Sequence, residues 1–194
     1  MYKFLLLSLL LFSCNSTPQK IYKKVDKVQF YTGLFAQHPE YIADGFDFPV
    51  GKPHGYGYLD AQPFQQNDHL GEDWIKKGRK EMGVPIYASA NGIVSFADNH
   101  GSGWGNVITI VHRTPSGKFY ETLYAHLQKV RVVEGDLVKK GQNIGTMGDA
   151  DGIYWVHLHF ELREDIYLPI GGGYSSNTTG YLDPKKFIKR NRKL

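Results

Sequence analysis

The sequence predicts a mostly β protein, an antiparallel sheet or sandwich-like core with little helix. Three observations carry that expectation. β-branched and aromatic residues gather into short runs, of which Val107 to His112 is the fullest. Turn-forming breaks separate the runs at Gly101-Ser102-Gly103, Pro115-Ser116-Gly117, Glu134-Gly135-Asp136 and Gly148-Asp149. The segment His157-Leu158-His159-Phe160-Glu161-Leu162 alternates polar and apolar residues with the period of a strand.

The elements follow in order. Met1-Tyr2-Lys3, the apolar run Phe4 to Phe12 and then Ser13 predict a signal peptide over residues 1–13, too short to span a bilayer permanently. A buried N-terminal strand or helix is the alternative, and the polar turn at Asn15-Ser16-Thr17-Pro18-Gln19 argues against it. Leu11-Phe12-Ser13-Cys14 resembles the bacterial lipobox, although Phe12 departs from it; that resemblance implies a lipidated Cys14 and an exported, membrane-anchored lipoprotein of the bacterial cell envelope, the alternative being an ordinary cleaved signal that leaves a free thiol. Cys14 is the only cysteine, so no disulfide forms within the chain. Residues 14–45 read as a lipidated tether and variable lead-in, because Val25 to Ala36 shows no clear period. The folded domain is expected over 46–190, with a basic tail at 191–194.

Gly51, Pro53, Gly55, Gly57 and Pro63 make residues 51–68 a loop or short strands around turns. Strands are expected at Val84 to Ala88, Gly92 to Ala97, Val107 to His112, Lys118 to Leu127, Val130 to Val133, Ile144 to Met147 and Trp155 to Leu162. A short C-terminal helix begins after Asp183 as N-cap, with Pro184 at its first position.

A length of 194 residues suits one domain, and 41% hydrophobic with 22% charged residues is ordinary for a globular chain. The net charge of +4 is concentrated at the two ends, including Lys185, Lys186, Lys189, Arg190, Arg192 and Lys193. Such runs are solvated tails or face an anionic envelope surface. No nucleic-acid motif appears, and a monomer is expected.

Five residues carry the chemistry. In a strand, His157, His159 and Glu161 share one face while Leu158, Phe160 and Leu162 face the core. His69 and Asp73 stand four apart around Gly71, in a turn leading into a strand. Each pattern has a plain alternative, a polar strand face or a surface loop, and His126 alone reads as a structural histidine. Of eight histidines, His38, His54, His100 and His112 lack such contexts and are left structural or solvated. Together the five offer imidazoles and a carboxylate suited to a catalytic zinc with an open position.

The sequence resembles the lysostaphin/LytM-type zinc metallopeptidases that cut bacterial peptidoglycan. The resemblance runs from about Phe48 to Phe187. It rests on His69-Leu70-Gly71-Glu72-Asp73 and His157-Leu158-His159-Phe160-Glu161, with Gly83 to Ala88, Gly92-Ile93-Val94, Gly105 to Ile108, Tyr120 to Leu127 and Gly135 to Gly145 between them. It implies that His69, Asp73 and His159 bind Zn2+, that His126 and His157 are an unligated catalytic pair, and that a groove in the β core carries the metal. The implied activity is zinc-dependent endopeptidase hydrolysis of peptide cross-links in peptidoglycan. A non-catalytic envelope-binding module of the same fold, activating another cell-wall hydrolase, is the alternative, although all five positions are intact. Val133 to Gln142 also resembles the turn of lipoyl and biotinyl carriers, but no suitably placed lysine follows. The chain departs from the family at Gly152-Ile153-Tyr154-Trp155-Val156, where two large aromatics should reshape the groove, and at Asp165 to Tyr181, an added loop.

Overall fold

The computed structural model describes residues 26–78, 81–101 and 103–193. Cys14 and the expected signal segment lie outside the described residues. The chain forms an antiparallel sheet flanked by two helices. The strands are β1 (Tyr58–Gln62), β2 (Glu72–Lys76), β3 (Pro85–Tyr87), β4 (Gly92–Asn99), β5 (Asn106–Arg113), β6 (Phe119–Val130), β7 (Leu137–Val138), β8 (Asn143–Met147), β9 (Leu158–Arg163) and β10 (Tyr181–Leu182). The main sheet runs β1-β2-β9-β6-β5-β4-β7, with β10 on β9 and the β3–β8 pair joined to the far end of β6.

The two faces of the sheet have different work. One carries the main core: Val94, Ile108, Ile110, Tyr124, Leu158, Phe160 and Leu162, closed over by Ile86 and Ile144 from β3 and β8. The expected alternation of β9 is observed, since Leu158, Phe160 and Leu162 are in this core and their neighbours point away. The other face holds Val107, Leu123 and Ala125 against Trp104, and at its other end Ile93 and Val111.

That second end is covered by α1 (Lys27–Gln37), which the lack of a clear period concealed. Asp26 caps it, its side chain accepting from the Gln29 N–H at 3.0 Å. Tyr31 and Phe35, one helical turn apart, insert against Ile93, Val111 and Ile166. Packed structure therefore reaches upstream of Phe46. At the C-terminus α2 (Pro184–Asn191) has the cap read from sequence, Asp183 accepting from the Lys186 N–H at 2.9 Å. The expected strand at Val130 to Val133 is not a separate element: β6 takes Val130, and the chain then turns.

Candidate metal centre

β2, β9 and β6 lie side by side, and their register builds the site. Asp73 stands opposite His159, which on its other side stands opposite Ala125, next to His126. His69 arrives from the turn before β2, and its segment is clamped by the loop after β9, with Leu70 N–H donating to the Gly173 carbonyl at 2.9 Å. Gly71 is required by close approach: a Cβ there would stand 2.6 Å from the Phe160 carbonyl oxygen and 3.0 Å from His159 Cε1.

His126 sits where the β5–β6 register shifts, at φ +61°. The bulge turns a residue out of the strand's alternation and into the groove. The Trp104 carbonyl holds it twice, accepting from the His126 backbone N–H at 3.1 Å and lying 3.2 Å from Nδ1. His157 bridges Gly148 just before β9, and its Nδ1 is 2.7 Å from the Trp155 carbonyl.

All five predicted residues converge. His69 Nε2 lies 2.9 Å from His159 Nδ1 and 3.3 Å from Asp73 Oδ1, and His159 Nδ1 lies 3.2 Å from the same Asp73 oxygen. Ligand atoms roughly 2.0–2.2 Å from a tetrahedral ion stand roughly 3.3–3.6 Å apart. Three buried donors of the right kind at nearly that spacing fit a divalent cation such as zinc. His157 Nε2 is 3.7 Å from Asp73 Oδ1, and the His126 and His157 rings are 4.6 Å apart, both beside the triad.

Each of the four histidines anchors one nitrogen and turns the other inward. His69 Nδ1 donates to the Gln62 carbonyl (3.2 Å), His126 Nδ1 to Trp104 and His157 Nδ1 to Trp155, whereas His159 Nε2 faces the Glu161 carboxylate at 3.0 Å. A carbonyl only accepts, so the tautomers of the first three follow. Electrostatics agree with a cation-shaped site. Burial opposes charge on His159, but Asp73 and Glu161 outweigh it and hold the imidazole up at about 9 without a metal. Burial raises the Asp73 carboxyl, and the adjacent His159 and His69 imidazoles more than reverse that. His126, with no anionic hydrogen-bond partner, is pushed down to about 3 by burial and by the nearby His159 and His157 charges. His157 is lowered too, again chiefly by burial.

The triad opens into a groove of about 390 Å3 lined by Gln62, Trp104, Tyr154, Trp155 and Tyr174. Tyr154 and Trp155 do line it, as their intrusion into the family pattern suggested, and so does the added loop through Gly172 to Tyr174. Trp104, Gln62 and Tyr174 were missed by sequence reading. The first two act through main-chain carbonyls, which leave no side-chain signature. His112 is buried and its nitrogens are both engaged; His100 is exposed.

The profile of peptidase family M23 matches residues 68–173. The chain is 40% identical over 81 residues to the peptidoglycan DD-endopeptidase ShyA of Vibrio cholerae, covering 42% of this chain and 18% of that protein. It is 44% identical over 81 residues to lipoprotein NlpD of Yersinia enterocolitica, covering 42% of this chain and 78% of that one. It thus spans under a fifth of ShyA. The solution structure of lysostaphin superposes with TM-score 0.50 and 30% identity over 70% of this chain and 49% of that one. With the profile covering more than half of its residues, this chain belongs to peptidase family M23.

Proposed function

We propose that the protein is a zinc-dependent endopeptidase that hydrolyses peptide cross-links of peptidoglycan, with His69, Asp73 and His159 as metal ligands and His126 and His157 as the catalytic pair. The observation that carries the reading is the near-tetrahedral spacing of three buried donor atoms beside two inward-facing imidazoles. A zinc ion there supplies Lewis acidity toward a scissile carbonyl and lowers the pKa of water.

The protein's own groups do the rest. With Nδ1 of His126 and His157 donating to backbone carbonyls, each Nε2 is a lone-pair acceptor aimed at the groove. Lowered pKa values keep both neutral near pH 7, so each Nε2 lone pair is unprotonated and open to a proton from attacking water, although burial weakens its basicity. The imidazole that takes it becomes a donor at Nε2, able to stabilise an oxyanion or protonate the leaving amine. Asp73 is the only Asp, Glu, Lys or Arg among the described groove residues. No Lys or Arg is there to capture a terminal carboxylate, which supports cleavage within a chain rather than trimming of its end.

The test is incubation of the full chain with purified peptidoglycan, with and without chelator, and mass analysis of released fragments. Chelator-sensitive release of cross-link peptides is expected. Binding without release favours the activator module, and neither binding nor release defeats both. Anchoring through lipidated Cys14 is part of the proposal. Cys14→Ser should move the protein from the membrane to the soluble fraction on cell fractionation.

A further inference from the structure

Three of the four groove histidines are held by backbone carbonyls, and one by a charged side chain. We propose that Glu161 is a positioning residue for the ligand His159, kept in place by a chain of ions that is buried through Arg163 and Glu121 and ends on the half-exposed Lys27 of α1. The proposal rests on the reading that His69, Asp73 and His159 bind a metal.

The strand period puts His157, His159, Glu161 and Arg163 on one face of β9. Glu161 Oε1 takes His159 Nε2 at 3.0 Å, and Glu161 Oε2 accepts from Arg163 Nε at 2.9 Å and Nη2 at 2.6 Å. Arg163 Nη1 reaches Glu121 Oε1 at 3.3 Å, directly across from it on β6. Glu121 Oε2 accepts from Ser95 Oγ at 3.1 Å and Lys27 Nζ at 3.4 Å. Glu161 and Arg163 are both 0% exposed. The Lys27 ammonium is also tied to the Ile166 carbonyl, so the first turn of α1 closes the chain.

Two features separate this from an ordinary structural ion pair. Burying the three charges of Glu161, Arg163 and Glu121, with Lys27 half-exposed at the end, is costly, and apolar residues of similar volume often replace such sets without loss of stability. The set is also neutral by itself, two carboxylates against Arg163 and Lys27. Glu161 can therefore accept the Nε2–H of an uncharged His159 without a further cation. That fixes the tautomer in which Nδ1, the atom facing His69 and Asp73, carries a free lone pair. A carboxylate behind a ligating imidazole also makes it a better donor.

The experiment measures zinc affinity by competition with a chromophoric chelator, on the full chain, for wild type, His159→Ala and Glu161→Gln. In Glu161→Gln the new amide can turn its carbonyl to Arg163 only by turning its NH2 to His159, which drives the imidazole proton onto Nδ1. Zinc should bind about 10–100-fold more weakly to Glu161→Gln, with an altered visible spectrum of the cobalt(II)-loaded protein, while thermal melting stays cooperative. A purely structural Glu161 predicts a lower melting temperature with affinity and spectrum unchanged, and that result overturns the proposal. Should wild type bind no zinc, the metal reading falls and takes this one with it; wild-type binding with an unaffected Glu161→Gln removes this one alone. A second measurement needs no variant. In zinc-loaded wild type, imidazole 15N shifts should show His159 protonated at Nε2 and metal-bound at Nδ1, and the reverse assignment overturns the role of Glu161.

Discussion

His112 and His126 lie on the paired strands β5 and β6, both buried, both with imidazoles far below the ordinary range, at about 4 and about 3. Burial is the leading cause in each case, so neither burial nor basicity tells them apart. Their second nitrogens do. His112 Nδ1 donates to the Asn91 carbonyl at 2.8 Å, leaving Nε2 to accept from the Thr122 hydroxyl at 2.8 Å, and its ring packs edge-on against Phe46. His126 has the same kind of Nδ1 anchor, but its Nε2 has no hydrogen-bond partner among the described residues. A saturated imidazole holds strands together; a half-saturated one at a groove is available for proton transfer.

The broadest test of this contrast asks whether the groove set forms a unit that excludes His112. His159→Ala and Asp73→Ala should drop zinc content from about one per chain to near none by elemental analysis, whereas His112→Gln keeps it. Undiminished zinc in both ligand variants breaks the assignment. Next, His126→Ala should retain zinc yet lose about 10^2–10^4-fold in turnover of peptidoglycan cross-links. Full turnover there, or a comparable loss in His112→Gln, reverses the roles given to the two histidines.

Stability should respond to pH through His112 as well. The folded His112 pKa of about 4 is below the unfolded value of about 6.5. Its contribution is therefore complete above pH ~6.5 and is lost as pH falls toward 4, a swing of about 3 kcal/mol. Denaturant titrations of wild type and His112→Gln across that window should show the acid-side slope flattened in the variant. At neutral pH the same substitution should cost about 1–3 kcal/mol through the unsatisfied partners it leaves. An unchanged denaturation midpoint would mean that the Asn91 and Thr122 contacts contribute little.

How far these features could be read from sequence depends on whether side chains or main chain create them. The alternation of Leu158, Phe160 and Leu162 with His157, His159 and Glu161 is a side-chain pattern, and it foretold both the face and the strand. The Asp183-Pro184 start of α2 was equally legible. α1 was not, because its burial rests on Tyr31 and Phe35 while Phe30 and Val28 remain exposed and blur the stripe. Asp26 was the signal that could have found it. The bulge at His126 and the carbonyls of Gln62, Trp104 and Trp155 depend on backbone placement, which residue type does not record. Glu161 was seen on the correct face, but its tie through Arg163 to Glu121 needs the β6–β9 register.

The asymmetry among the four anchors carries over to what mutation can reach. No codon change deletes a peptide oxygen, so the orientation of His69, His126 and His157 is insulated from replacement of the residues that supply it, provided the loops keep their course. His159 has no such insurance. A saturation library screened for metal retention should accordingly accept many replacements at position 62, which holds the ligand His69 through its carbonyl, and very few at 161.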